Sequence, residues 1–212
     1  INCYWLHGKL VKVVRSRLMF SKRFVHWVKD RFPKIYHHLV VNPLLVKLIT
    51  ELDRPRFILN LLLNRPYIGA VYLSEQVWPT RRGFMEQLAW QLTDQADTWV
   101  DILEIGSYAG DSTMIWAGAI RDNPEINGEV VCVDSFDFTP PEIRANSALH
   151  VMYRAQKGGA VLKLFRHNMS SSGCDRIVHL LVDTSEKAIP DLREREFDLV
   201  YLDASHTYDD VT

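Results

Sequence analysis

The sequence is poor in cysteine, with only Cys3, Cys132 and Cys174, far apart. An odd number at such spacing builds neither a disulfide framework nor a zinc-binding set, so a reducing compartment, by default the cytoplasm, is expected. A long apolar run is also lacking. Lys47, Arg54, Arg65 and Glu75 interrupt the greasiest stretch before it reaches the roughly 18 to 20 residues that span a bilayer, which excludes an integral membrane helix. Internal repeats and low-complexity segments are missing too. With 47% hydrophobic and 24% charged residues in 212, the chain can bury a core, and disordered and collagen-like classes are excluded.

Net charge is nearly absent, at -1, but this conceals two electrostatic halves. Residues 1–82 hold 15 Lys and Arg against 4 Asp and Glu, whereas residues 83–212 hold 10 against 22. Within the basic half, Leu10, Val14, Leu18, Val25, Val28 and Phe32 recur at helical spacing among many cations, so a basic amphipathic helix is expected over residues 6–32. Such a helix can lie on an anionic membrane surface as a peripheral contact, or pack on the rest of the protein or on a second subunit in a homo-oligomer. No nucleic-acid-binding module accompanies the cations, and nucleic acid is not expected.

Pro33, Pro43, Pro55 and Pro66 divide the next stretch into expected helices at residues 34–41, 44–52 and 56–64. Residues 1–82 thus read as a basic helical extension. Thr80 is a candidate cap for a helix over residues 83–93, after which the pattern changes. Short apolar strands are expected at residues 100–105, 129–133, 177–182 and 197–202, alternating with helices at 112–120 and around 160–169. Strands apolar on both faces and alternating with helices predict an α/β, Rossmann-like doubly wound parallel sheet over residues 83–212, with ligands at the carboxyl ends of its strands.

The turn after the first of these strands reads LEIGSYAGDST over residues 103–113, with Glu104, Gly106 and Gly110 in an E-x-G-x-x-x-G pattern. Gly106 permits a sharp turn and close approach of a ligand, and Gly110 removes a side chain where the next helix packs on the sheet. Tyr108 and Ala109 stand where a dinucleotide fold needs its middle glycine, which weighs against NAD and FAD. Asp134 closes the second strand where a carboxylate can accept both hydroxyls of a ribose. Asp183-Thr184-Ser185 closes the third and Asp203 the fourth.

These residues resemble the class I S-adenosylmethionine-dependent methyltransferases, in particular the branch with catechol, caffeoyl-CoA and macrocin-type sugar O-methyltransferases. The resemblance covers about residues 84–212 and rests on the glycine turn and on FRHNMSSSGCDRIVHLLVDTSEKAIPDL followed by FDLVYLDASHTYDDV. It implies that Glu104, Gly106 and Ser112 hold the methionine part of S-adenosylmethionine, with Tyr108 along it, Asp134 on the ribose and Ser185, after Asp183, at the adenine edge. It further implies that Asp203 contacts the cofactor amine or a divalent metal such as Mg2+, or both, and that His206 is the general base. Asp111 departs from the tyrosine often found there, and residues 136–159 form a long insertion. The expected acceptor is the hydroxyl of a small molecule, a sugar above all.

Two other readings stay open at this point: an NAD-dependent or nucleotide-sugar oxidoreductase, and a peripheral membrane or assembly module whose nucleotide site has degenerated. Only four strands are recognisable, the first residue is Ile1, and Thr212 follows directly on a polar motif, so the chain is expected to be a fragment lacking its C-terminal strands.

Overall fold

The computed structural model describes residues 3–6, 9–12, 43–75, 77, 79–137, 154–155 and 158–204. The first correction comes at the N-terminus. Strands β1 (Cys3–Leu6) and β2 (Lys9–Lys12) pair antiparallel, Cys3 opposite Lys12 and Leu6 opposite Lys9, where a helix from residue 6 was expected. The aromatic pair Tyr4-Trp5 and the β-branched Val11 favour extended backbone, and Gly8 weakens a helix there. The remainder of the expected helix lies outside the described residues, as does the one at 34–41.

Helix α1 (Pro43–Leu62) is the second correction, because it runs through Pro55 rather than stopping at it. Proline forfeits one backbone hydrogen bond, but contacts on both sides of it fix the local helix. Asp53 pairs with Arg56 at 2.6 Å and accepts the Tyr67 hydroxyl at 2.5 Å, while Phe57 packs edge-on against Tyr67 and Tyr72. Arg56 also donates to the Ile68 carbonyl, so the helix and the short 3-10 turn Ala70–Tyr72 are held together. Helix α2 (Pro79–Gln95) begins with proline at its first position, which suits a residue with no N–H to satisfy. Thr80 consequently lies inside the first turn and is not the cap.

From residue 99 the expected alternation appears: β3 (Trp99–Ile105), α3 (Thr113–Asp122), β4 (Asn127–Val133), α4 (Ala160–Ser172), β5 (Val178–Leu181), α5 (Ser185–Leu192) and β6 (Leu199–Leu202). The four strands form a parallel sheet in the order β5-β4-β3-β6, a Rossmann-like α/β arrangement. The chain winds outward from β3 through β4 to β5 and then returns to the other side of β3. That reversal opens a crevice between the carboxyl ends of β3 and β6.

Strand alternation sends two sets of side chains to opposite faces. Val100, Ile102, Val130 and Cys132 join Met85, Ala89, Trp116, Ile120, Val161, Leu164 and Phe165 under α2, α3 and α4. Leu103, Val131 and Val133 meet Ala188 and Leu192 of α5 on the other face. Val200 and Leu202 of β6 remain half exposed on that second face. Among the described residues no helix is long and apolar enough to cross a membrane.

Candidate functional site

Three backbone hydrogen bonds bring the strand ends to one level. Gly106 N–H donates to the Val133 carbonyl at 2.9 Å, Asp134 N–H to Leu181 at 3.2 Å, and Asp203 N–H to Ile105 at 2.8 Å. The sequence-predicted Gly106, Asp134 and Asp203 therefore share one edge. Gly106 has φ +93°, and a Cβ there would lie 2.5 Å from the Asp203 carbonyl oxygen. Only glycine fits this turn, for reasons of both conformation and space. Gly110 has φ +84°, but the neighbour a side chain would strike is Met169 of α4, at 2.5 Å, not the sheet. The expectation for Gly110 is corrected accordingly: it makes room for α4.

Asp134 holds the turn from below. Its carboxylate accepts the N–H of Tyr108 on Oδ2 and that of Phe136 on Oδ1, each at 2.7 Å. Both donors sit at positive φ, +46° and +50°. Left-handed backbone costs a non-glycine residue on the order of 1 kcal/mol or more, and charge-assisted hydrogen bonds are the kind of interaction that offsets it. Burial raises the Asp134 carboxyl above its ordinary pKa, with these backbone donors pulling the other way.

Glu104, on the face that packs under α3, is fully buried and accepts the hydroxyls of Ser112 and Thr113; Cys132 Sγ lies 3.6 Å from Oε2. Desolvation pushes its pKa up to about 7 despite the hydroxyls, which favour the charged form. The structure thus places Glu104 behind the cleft, bonded to Ser112 and to Thr113, the first residue of α3, while Ser112 lines the cleft itself. Ser107 Oγ is also at the cleft; it lies near the Glu104 carboxyl but within hydrogen-bond geometry of no partner, although buried. Asp183 accepts the Thr184 N–H at 2.8 Å, and Ser185 is half buried at the start of α5, both beyond the end of β5.

Sequence reasoning missed the residues that close the cleft. Ser74 and Val77 line it opposite Gly106, Ser107 and Tyr108. Arg82 is paired with the buried Asp111, whose other oxygen accepts the Val77 N–H at 3.3 Å. Burial raises the Asp111 pKa, and Arg82 opposes that rise. Arg81 pairs with Asp203 at 2.8 Å. The available signal was the charge asymmetry: the last two cations of the basic half meet two carboxylates of the acidic half. The free volume left in the cleft is only about 10 Å³, room for about one water.

His206 lies outside the described residues. So do residues 138–153 and 156–157 of the insertion expected over 136–159. Asp203 was also a candidate metal ligand, but the carboxylate is already paired with a cation of the chain. Among the described residues no group of three His, Cys, Asp or Glu could hold an ion. Asp203 Oδ2 is engaged by Arg81 at 2.8 Å and lies 3.2 Å from the Tyr201 hydroxyl.

Residues 103–212 match a family whose description is a methyltransferase domain. No curated protein matches the chain. Among solved structures, the chain is similar to cofactor-bound Rv0187 from MTB, at 26% identity and TM-score 0.41 over 61% of this chain and 45% of that one. A SAM-dependent methyltransferase from Agrobacterium tumefaciens shows 13% identity and TM-score 0.38 over 58% and 30%. The calicheamicin methyltransferase CalS11 shows 14% identity and TM-score 0.38 over 90% and 69%. The chain spans less than half the length of the first two of these structures.

Proposed function

The chain belongs to the methyltransferase-domain family that it matches over residues 103–212, and from that premise we propose that it is an S-adenosylmethionine-dependent O-methyltransferase acting on a small-molecule hydroxyl, a sugar above all. The observation that carries this reading is the cradle at Gly106. A turn that admits no side chain faces the end of β6, with the buried Ser107 hydroxyl on one side and the Asp134 carboxylate under it. A nucleoside needs such an arrangement: bare backbone at van der Waals distance, a hydroxyl donor and a carboxylate acceptor.

S-adenosylmethionine, when bound, supplies a methyl group on a sulfonium that an acceptor oxygen displaces in line. The protein's part is to position and to move a proton. In this reading Asp134 accepts the ribose hydroxyls while keeping its backbone donors, since a carboxylate offers about four lone-pair sites. Tyr108 lies beside the turn, with its hydroxyl anchored on the Tyr72 carbonyl at 2.7 Å. Gly106 and Ser112 hold the methionine part; Glu104 acts there through the Ser112 hydroxyl that it fixes. Ser185 and Asp183 stand at the adenine edge, and Gly110 lets α4 close against the turn. His206, three residues beyond Asp203, is proposed as the general base, because imidazole titrates near neutrality. The catalytic unit so proposed is residues 83–212, with residues 1–82 as an extension that contributes Ser74 and Val77 to the cleft lining.

Titration calorimetry with S-adenosylhomocysteine tests this. Binding is expected in the native chain, with a loss of about tenfold or more in affinity for Gly106→Arg and for Asp134→Ala, since each removes interactions worth more than about 1.4 kcal/mol. A native protein with no affinity for that nucleoside, or a double variant with undiminished affinity, refutes the assignment.

A further inference from the structure

The pair formed by Arg81 and Asp203 is unaccounted for by the resemblance, which gave the Asp203 carboxylate to a metal ion or to the cofactor. Arg81 stands in the first turn of α2, far in sequence from β6 but directly over its end. Its Nη2 lies 2.8 Å from Asp203 Oδ2 and also hydrogen-bonds the Tyr201 hydroxyl, and its guanidinium carbon is 5.5 Å from the centre of the Tyr201 ring. Tyr201 is itself fixed edge-on against the buried Trp116 at 5.3 Å. Asp203 is fixed from the other direction by its backbone bond to Ile105 and by the Gly106 turn pressed against it. Both partners are thus positioned by the core rather than by each other alone.

We propose that Arg81 is the resident cation of the Asp203 carboxylate, so that a guanidinium occupies the place a divalent ion would take and Asp203 serves as no metal ligand. Three physical points support it. The guanidinium is always charged and is weakly hydrated, so it neutralises a half-buried carboxylate without the oxygen cage a divalent ion needs. The tyrosine hydroxyl and ring give it an additional acceptor and a π face, contacts an aquated ion would not use. The side chain of Arg81 is 38% exposed and that of Asp203 21%, and Asp203 lines the cleft, so the guanidinium is held on a carboxylate at the cleft's edge. Arg81 is accordingly a positioning residue. This inference rests on the function proposed above only for the reaction it serves, since the occupancy of Asp203 can be measured without turnover.

The experiment is a Mn2+ titration of the whole chain, followed by the paramagnetic resonance signal of the free ion, on native protein, Asp203→Asn, Arg81→Met and the combined variant. Arg81→Gln serves as a second neutral replacement should Arg81→Met fail to fold. Calorimetry with S-adenosylhomocysteine runs in parallel, with and without EDTA. The expected result is a Mn2+ titration of the native protein that Asp203→Asn leaves unchanged within about twofold. Binding then tightens about tenfold in the Arg81 variant, a gain the combined variant loses. A native protein whose Mn2+ affinity collapses in Asp203→Asn overturns the proposal, and so does an Arg81 variant that binds Mn2+ no better than native. Absence of nucleoside binding with the expected Mn2+ pattern would instead count against the methyltransferase reading and leave the role of Arg81 standing.

Discussion

Glu104 is the residue whose chemistry and burial conflict most. It is fully buried on an otherwise apolar sheet face, and desolvation lifts its pKa from 4.5 to about 7. The folded chain therefore keeps this proton up to near neutrality, whereas the unfolded chain releases it near 4.5. Where the folded state binds more protons, stability falls as pH rises, so the cost accrues between about 4.5 and about 7 and is constant above. Its size is on the order of 3 kcal/mol. Glu104→Gln keeps an oxygen for the Ser112 and Thr113 hydroxyls but has no charge to desolvate. Its melting temperature relative to native is expected to climb by several degrees from pH 5 to pH 7 and then level off. A difference that stays flat from pH 5 to pH 8 in thermal melts would show that Glu104 is not the buried titrating group. Cys132, beside it, has its thiol pKa raised by burial first and by the Glu104 charge second, which fits a structural rather than a reactive thiol.

Helix α4 has a role at the level of elements that its amphipathic pattern does not reveal. The buried Asn168 on it donates to the Tyr67 carbonyl at 3.0 Å and to the Ala109 carbonyl at 2.8 Å, and accepts the Tyr67 N–H at 2.8 Å. One amide thus ties the segment after α1 to the glycine turn. Asn168→Ala leaves three backbone groups buried without partners, each worth on the order of 1 kcal/mol or more, so a stability loss of about 3 kcal/mol is expected in urea unfolding. The nucleoside affinity should fall as well, because the Ala109 carbonyl belongs to the turn. Equal urea midpoints for variant and native protein would mean that Tyr67 is held by its Asp53 and Arg56 contacts alone. The four strands of the parallel sheet and helices α3 and α4 were legible in the sequence, since alternation and apolar runs are local signals; the pair β1-β2, and α5, with Pro190 inside it and only Ala188 and Leu192 buried, were not. The continuity of α1 through Pro55 was equally hidden, because it depends on Tyr67 and Tyr72, which come later in the chain. For the site, the polar strand ends at Gly106, Asp134 and Asp203 were readable, whereas Arg81, Arg82 and Ser74 reach the cleft through tertiary packing that no spacing announces.

Across the whole molecule, the basic and acidic halves meet at the cleft, where Arg81 and Arg82 face Asp203 and Asp111. Ser74 and Val77 line the cleft with them, and with room for only about one water there, the nucleoside binding proposed above requires this cover to shift. Entry then depends on an opening equilibrium, and the ligand's apparent affinity carries the cost of that opening. Asp111 is the catch: it is 5% exposed in its side chain, bonded to Arg82 and to the Val77 N–H. Arg82→Met removes the charge and retains the stem, so the cover is expected to open more readily. Hydrogen exchange at Val77, whose N–H is bonded to Asp111, should accelerate about tenfold, a shift of about 1.4 kcal/mol in the local opening equilibrium. The amides of β3 and β4 belong to the buried core, open only with global unfolding, and should keep their rates apart from any change in global stability. Nucleoside association should quicken in the same variant, measured by stopped flow with S-adenosylhomocysteine, because less of the population must open first. Acceleration spread evenly over β3, β4 and α2 would mean that Arg82 supports the fold as a whole and that no separate cover exists; unchanged exchange at Val77 would mean that the Tyr108 bond to the Tyr72 carbonyl, at 2.7 Å, holds the cover without it.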